Sequence, residues 1–212
     1  METTLLLIRH GESKANLEKK FAGHWDIPLT ERGELQAELT AKFIASKYKV
    51  DKIYSSDLIR AYGTAEAISS ITGIEIIKEK ALREIFAGEW EQKTFEELNT
   101  YYVDTFTNGW KKDLGKAVCD GGESVKQVGE RVLNCLTEIA IKNDGKTVAV
   151  ATHATPIRTA VCLMQNEEVK NSVWASNASV TEVKYKDGKW EIVNFSQDKH
   201  LESAKTMLPP NV

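Results

Sequence analysis

Residues 3–13 read Thr3-Thr4-Leu5-Leu6-Leu7-Ile8-Arg9-His10-Gly11-Glu12-Ser13. The aliphatic run has no polar alternation, so it offers no face to water. It fits a strand buried on both sides, and it breaks at Arg9-His10-Gly11 into a loop. Residues 147–153, Thr147-Val148-Ala149-Val150-Ala151-Thr152-His153, repeat the arrangement: a continuous apolar strand that ends at a histidine.

The sequence between and around them alternates helix and strand. Thr30 caps a predicted helix reaching about Tyr48, with Leu35, Leu39 and Phe43 at i, i+4, i+8 and Ala37, Ala41 and Ala45 beside them. Residues 52–55 form a second strand. Ser56 or Asp57 then caps a helix carrying Leu58, Ile59, Tyr62, Ala65 and Ile68, stopped near Gly73. Residues 75–78 form a third strand. Thr94-Phe95-Glu96-Glu97 and Ser124-Val125-Lys126-Gln127 are capping boxes, the second opening a long helix that ends at Asn143-Asp144-Gly145. Residues 108–123 hold four glycines and no strong period, which reads as a loop or lid. Thr155-Pro156 has the form of an N-cap followed by proline at the first helical position. Residues 180–185 and 190–195 flank Lys186-Asp187-Gly188-Lys189 as a hairpin, and the tail from 200 to 212 carries weak signals. These elements predict an α/β fold: a three-layer sandwich, with a mixed, mostly parallel sheet and helices on both faces. Nothing marks a domain boundary, so residues 1–212 read as a single domain with a mostly helical lid insertion near 85–130.

Composition narrows the function. The chain has 212 residues, 42% apolar and 28% charged, and is long enough to fold around its own core without a disulfide or metal staple. Its net charge of −3 argues against a sequence-independent nucleic-acid partner, yet a few local Arg and His residues can still build a pocket for an anion. The longest aliphatic runs are far short of a membrane span, and Met1-Glu2-Thr3-Thr4 lacks the basic start of a signal peptide. Cys119, Cys135 and Cys162 have no CxxC spacing and read as reduced thiols, which points to the cytoplasm. The four histidines show no HxxxH or HxH spacing, so neither a metal nor a cofactor is expected.

In a sheet of this kind, ligands gather beyond the carboxyl ends of the parallel strands. If the first and fourth strands are neighbours, His10 and His153 face one another there. Arg9, Arg60 on the first turn of its helix, Arg83 and Glu84 map to the same rim. Arginines form paired hydrogen bonds to phosphate or carboxylate oxygens. An imidazole pinned through one ring nitrogen is a nucleophile at the other, and a carboxylic acid can protonate a leaving oxygen. The set suits phosphoryl transfer through a phosphohistidine, and no GxxxxGK[ST] loop suggests a nucleoside triphosphate.

Leu7-Ile8-Arg9-His10-Gly11-Glu12-Ser13 with Asn16 resembles the signature of the histidine phosphatase superfamily, the phosphoglycerate mutase-like group. Further blocks agree in order: Gly23 with 26–33, Tyr54-Ser55-Ser56-Asp57-Leu58 with Arg60-Ala61, Leu82-Arg83-Glu84 with Gly88-Glu89-Trp90-Glu91, Gly122-Glu123-Ser124, and Thr152-His153. The resemblance spans about residues 5–180. It implies a phosphoglycerate mutase-like sheet of about six strands. It also implies His10 as the phosphorylated nucleophile, Arg9, Arg60 and His153 as ligands of the phosphoryl oxygens, and Asn16 as a phosphate contact. Glu84 aligns with the general acid, and Gly23 and the backbone of Ala154 with the pocket lining. Two departures stand out. Ala154 comes after the second histidine where the family has glycine, which would strain a backbone needing positive φ, and Gln92 replaces the glycine of a Trp-Glu-Gly sequence.

Other readings stay open on the residues alone. Glu12, Glu89 and Glu91 are alternative acids, and His24 is an additional substrate contact. Trp25, Trp90 and Trp110 are candidates for the lid, Lys111 and Lys112 for a second anionic group. His200 reads as ordinary. The expected activity is that of a metal-independent phosphatase acting on a small phosphorylated substrate, with the Gly88-Glu89-Trp90-Glu91 loop resembling the phosphatase branch. The alternatives are a cofactor-dependent phosphoglycerate mutase and a non-catalytic phospho-ligand-binding relative. The hairpin edge is a place where a homodimer could pair.

Overall fold

The computed structural model describes residues 1–206, so the end of the weakly signalled tail, 207–212, lies outside the described residues. In chain order the strands and α-helices are β1 (Thr3–Arg9), α1 (Lys14–Leu17), α2 (Glu31–Lys47), β2 (Lys52–Ser55), α3 (Ile59–Thr72), β3 (Ile76–Lys78), α4 (Phe95–Tyr101), α5 (Val125–Lys142), β4 (Thr147–Thr152), α6 (Ala154–Met164), β5 (Val180–Lys186) and β6 (Lys189–Gln197). One six-stranded sheet has the order β3-β2-β4-β1-β5-β6. The first four positions are parallel, while β5 runs antiparallel to β1 and β6 antiparallel to β5.

The unbroken apolar runs of β1 and β4 now have their reason. Leu5, Leu7, Val148 and Val150 enter one core with α5 and α6, and Leu6, Ile8, Ala149 and Ala151 enter the other with α2 and α3. Each strand has a neighbour on both edges and a helical layer on both faces, so every side chain needs to be apolar. The hairpin turns at Asp187 and Gly188, with φ of +50° and +78°, the left-handed pair that a two-residue type I′ turn requires. Among the described residues no helix is long and apolar enough to cross a membrane.

Four local expectations are corrected. The inner face of α2 is Gly33, Gln36, Ala37, Thr40, Ala41 and Ile44, whereas Leu35 is exposed and Leu39 and Phe43 are half-buried. Small residues win that face because the loop after β1 crosses it closely: a Cβ on Gly33 would lie 2.0 Å from the Glu12 carbonyl oxygen. The cap of α3 is Leu58, without a side-chain hydrogen bond, because Asp57 is engaged by Arg83 and Ser56 by His153. Helix α6 begins one residue after β4, so His153 is its cap and Thr155 and Pro156 lie inside its first turn. The stretch read as a loop or lid starts inside a helix: a π-helical run over Val103–Lys111, which buries Phe106 and Trp110, takes in residues 108–111.

Candidate active site

Strands β1 and β4 pair in parallel with Arg9 opposite Thr152, so His10 and His153 leave the sheet side by side. Their ring centroids are 5.1 Å apart at an interplanar angle of 63°. His10 Nδ1 lies 2.7 Å from the Gly11 carbonyl oxygen, which can only accept. Nδ1 therefore carries the proton and the Nε2 lone pair is free. Burial, then the positive charges of Arg60 and Arg9, hold the His10 pKa well below the ordinary imidazole range, so the ring is neutral.

His153 is fully buried behind it. Ser56 Oγ accepts from the Leu58 backbone N–H at 3.3 Å and lies 2.9 Å from His153 Nε2. A hydroxyl has one donor and two acceptor sites, so it can donate to Nε2 while accepting from Leu58, and in that arrangement the ring proton sits on Nδ1. Nδ1 has no hydrogen-bond partner in the protein. Burial and the Arg60 charge also hold this pKa well below its ordinary value.

The two arginines are built alike. Arg9 donates from Nη1 to the Ala175 carbonyl oxygen at 2.6 Å, and its buried Nε has no partner. Arg60 donates to the carbonyl oxygens of Trp25 at 3.0 Å and Gly23 at 2.7 Å, and its Nε is likewise unpartnered. Burial lowers both pKa values to about 10, with Glu84 opposing the shift, so both stay charged at neutral pH. A buried guanidinium with an unengaged donor is expensive unless an anion completes it.

A cavity of about 290 Å³ opens on this group, and Arg9, His10, Asn16, Gly23, Arg60, Glu84 and Ala154 all line it. Asn16 Oδ1 accepts from Ser13 N–H, Ser13 Oγ and Asn177 Nδ2, leaving its own NH₂ for the cavity. Gly23 has φ of +53°, and a Cβ there would lie 2.5 Å from Glu91 Oε1, so this turn admits only glycine. Ala154 is the first residue of α6 in ordinary helical backbone, so the strain expected after the second histidine is absent. The strained departure is Gln92 instead, at φ +68°. His153 touches the His10 ring rather than the cavity wall.

Glu84 Oε1 accepts from the Ile85 N–H at 2.9 Å, and Oε2 lies 3.5 Å from the Thr155 N–H at the start of α6. The other carboxylates have structural partners and do not line the cavity. Glu12 accepts from Thr30, Glu89 from Tyr102, and Glu91 from the backbone of His24 and Ala87. His24 bonds the Glu84 carbonyl, and Arg83 is paired bidentately with Asp57. His200 stacks on Phe43 at the far side of α2. Of the tryptophans, Trp110 lines the cavity, Trp90 is core, and Trp25 contributes its carbonyl to Arg60. Lys111 and Lys112 lie off the cavity.

Sequence reasoning missed Arg131 and Ser56 as supports. Arg131 donates to the carbonyl oxygens of Ala81, Arg83 and Glu84 and pairs with Glu123, which in turn accepts from the Phe86 N–H. The segment that carries Glu84 is thus fixed at both edges. Glu123 is visible within Gly122-Glu123-Ser124, but Arg131 lies two turns into an amphipathic helix with no local mark. Among the described residues no cluster of three or more His, Cys, Asp or Glu is arranged to hold a metal ion.

A family model described as the histidine phosphatase superfamily (branch 1) matches residues 5–198. Phosphoserine phosphatase 1 of Hydrogenobacter thermophilus is 33% identical over 199 residues, 93% of this chain and 93% of its own. The solved structure of Bacillus stearothermophilus YhfR superposes with a TM-score of 0.89 at 30% identity, over 94% of this chain and 100% of that one. Phosphoserine phosphatase from Entamoeba histolytica, in complex with 3-phosphoglyceric acid, superposes with a TM-score of 0.80 at 30% identity, over 94% and 99%. The likeness covers the whole phosphoglycerate mutase-like sandwich.

Proposed function

The chain belongs to the histidine phosphatase superfamily, and from that premise we propose that it is a phosphomonoesterase working through a phosphohistidine at His10, with no metal in the reaction. One observation carries the reading. Arg9 Nε and Arg60 Nε, two buried donors with no partner in the protein, belong to residues that share the cavity with an imidazole whose Nε2 is free, and His153 Nδ1, a third unpartnered donor, belongs to the ring against His10. Such a set binds an oxyanion beside a nucleophile.

In the first step, Nε2 of His10 attacks phosphorus. The P–N bond forms, the P–O bond to the alcohol breaks, and Glu84 gives its proton to the leaving oxygen. In the second step water attacks phosphorus while the Glu84 carboxylate takes its proton. The P–N bond breaks, its electron pair returns to Nε2, and inorganic phosphate leaves. Arg9, Arg60 and His153 hold the equatorial oxygens throughout, and Asn16 and the backbone N–H groups at Ala154 and Thr155 add donors at the rim.

The test is hydrolysis of p-nitrophenyl phosphate in the presence of EDTA, with trapping of labelled enzyme in acid-free denaturant. The wild type turns over and labels at His10; His10→Ala does neither. Full activity in that variant, or strict metal dependence, refutes the mechanism. Interconversion of 2- and 3-phosphoglycerate primed by 2,3-bisphosphoglycerate would assign the chain to the mutases instead. Phosphate binding without any label would make it a binding protein.

A further inference from the structure

Beyond the anion site the same cavity carries four aromatic rings, with Lys19 and Lys20 also on its lining. Phe21, Phe95, Trp110 and Trp174 line it and form one continuous wall. The centroids of Phe21 and Phe95 are 6.3 Å apart, those of Phe21 and Trp110 5.1 Å, and those of Trp110 and Trp174 6.3 Å. These rings come from four separate segments, and two of them, Phe95 and Trp174, remain half-exposed within the cleft. Trp90 shows what a purely structural tryptophan looks like here: it is fully buried and its Nε1 is bonded to Asp120 at 2.8 Å.

Trp174 is also actively held. Arg158, on α6, donates to Ser172 Oγ at 2.8 Å and to the Ser172 carbonyl oxygen at 2.9 Å, and its guanidinium carbon sits 3.9 Å from the Trp174 ring centroid. Arg158 is itself buried and does not line the cavity, so it backs the ring from outside. A planar guanidinium is suited to this, since it can stack on an aromatic face while hydrogen-bonding in its own plane.

We propose that this wall is a leaving-group subsite selecting phosphomonoesters whose alcohol carries a flat aromatic ring, with Arg158 as its positioning residue. The proposal rests on the phosphatase reading for the placement of the phosphoryl group. An added ring extends the wall in the edge-to-face and offset contacts that aromatic groups favour at 4.5–7 Å. A small aliphatic or strongly polar alcohol leaves Phe95 and Trp174 exposed to water. At about 290 Å³ the cavity stands at the lower end of small-ligand sites, which begin at roughly 300 Å³.

The test uses two pairs of probes. 2-Phenylethyl phosphate and ethyl phosphate release alcohols of similar acidity, so their difference in kcat/KM reports the ring and not leaving-group chemistry. The corresponding phosphonates, which cannot be hydrolysed, report binding by calorimetry. The wild type is expected to favour the phenyl member of each pair by roughly tenfold or more. Trp174→Ala should bring both ratios close to one, and Arg158→Lys, which keeps charge but loses the planar face, should give an intermediate ratio in a folded protein. Equal binding of the two phosphonates by the wild type overturns the proposal, as does a ratio untouched by Trp174→Ala. Absence of turnover alone counts against the phosphatase reading, and the phosphonate ratio then still decides the subsite.

Discussion

His10 and His153 stand 5.1 Å apart because Arg9 and Thr152, the residues before them, are paired across adjacent parallel strands. The two rings are pinned at opposite nitrogens: His10 through Nδ1 to the Gly11 carbonyl, His153 through Nε2 to Ser56. In the proposed mechanism the first ring offers its lone pair to phosphorus and the second a hydrogen bond to a phosphoryl oxygen. Ser56→Ala removes the group that fixes the second tautomer. We expect kcat to fall by about tenfold to a hundredfold, with the label at His10 still formed. Unchanged kcat would show that Ser56 does not set the tautomer.

Protonation of the histidines also links pH to stability. Both are held neutral in the fold, so their folded pKa values lie below the unfolded value of about 6.5. The unfolded chain binds more protons in that window. Their contribution is therefore complete above about pH 6.5 and is lost as pH falls, by up to roughly 1.4 kcal/mol per histidine per pH unit. Urea midpoints between pH 7.5 and 5.5 should drop accordingly, and the slope should flatten in a His10→Gln, His153→Gln double variant. His200, also shifted down by burial, leaves a residual slope in that variant. A wild-type midpoint independent of pH across this range contradicts the assignment.

Glu84→Gln keeps the shape of the side chain but removes the group that, in the proposed mechanism, protonates the leaving oxygen. Esters with basic leaving oxygens, such as phosphoserine, should lose about 10²–10⁴ in kcat/KM. p-Nitrophenyl phosphate, whose leaving group needs little protonation, should lose much less. An equal loss on both substrates would assign the proton to another group.

Arg131 is expected to act on the same step at one remove. It touches no cavity atom, yet it binds the carbonyl oxygens on both sides of Glu84's backbone. Arg131→Met should reproduce the leaving-group dependence of Glu84→Gln in weaker form, roughly tenfold on poor leaving groups. A uniform loss on all substrates, in step with a fall in Tm, would mark the residue as purely structural.

Gln92 sits at φ +68°, where a side chain is strained and glycine is not. Gln92→Gly should stabilise the protein by about 0.5–1 kcal/mol, the relief of strain exceeding the added freedom of the unfolded chain. Thermal unfolding should shift upward by roughly 1–4 °C. A lower midpoint would show that the Gln92 side chain makes a contact worth more than the strain.

Much of the site is legible in the sequence because its residues sit next to signals that stand alone. A strand with two buried faces announces itself by losing alternation, and the residue just past its end lies at the carboxyl rim; that is enough to bring His10 and His153 together. Arg60 and Glu84 need the family pattern, since an arginine on a helix and a glutamate in a loop look like any other. Reading the largest apolar side chains as the buried ones misplaces the inner face of α2. Close passage of the Gly11-Glu12 backbone demands small residues there, a constraint set by a segment some twenty positions away. The pairings of Arg131, Ser56 and Arg158 are long-range hydrogen bonds, and no local period encodes them.

The topology has a consequence for how the molecule comes into being. Strand β1 is interior, between β4 and β5, so it has no permanent sheet neighbour until residues 147–152 and 180–186, far behind it in the chain, have been made. Until then its leucines lack their sheet neighbours and His10 is without His153. Until those segments emerge, the apolar strand depends on protection from aggregation, and the pair of histidines that the proposed mechanism needs is not assembled.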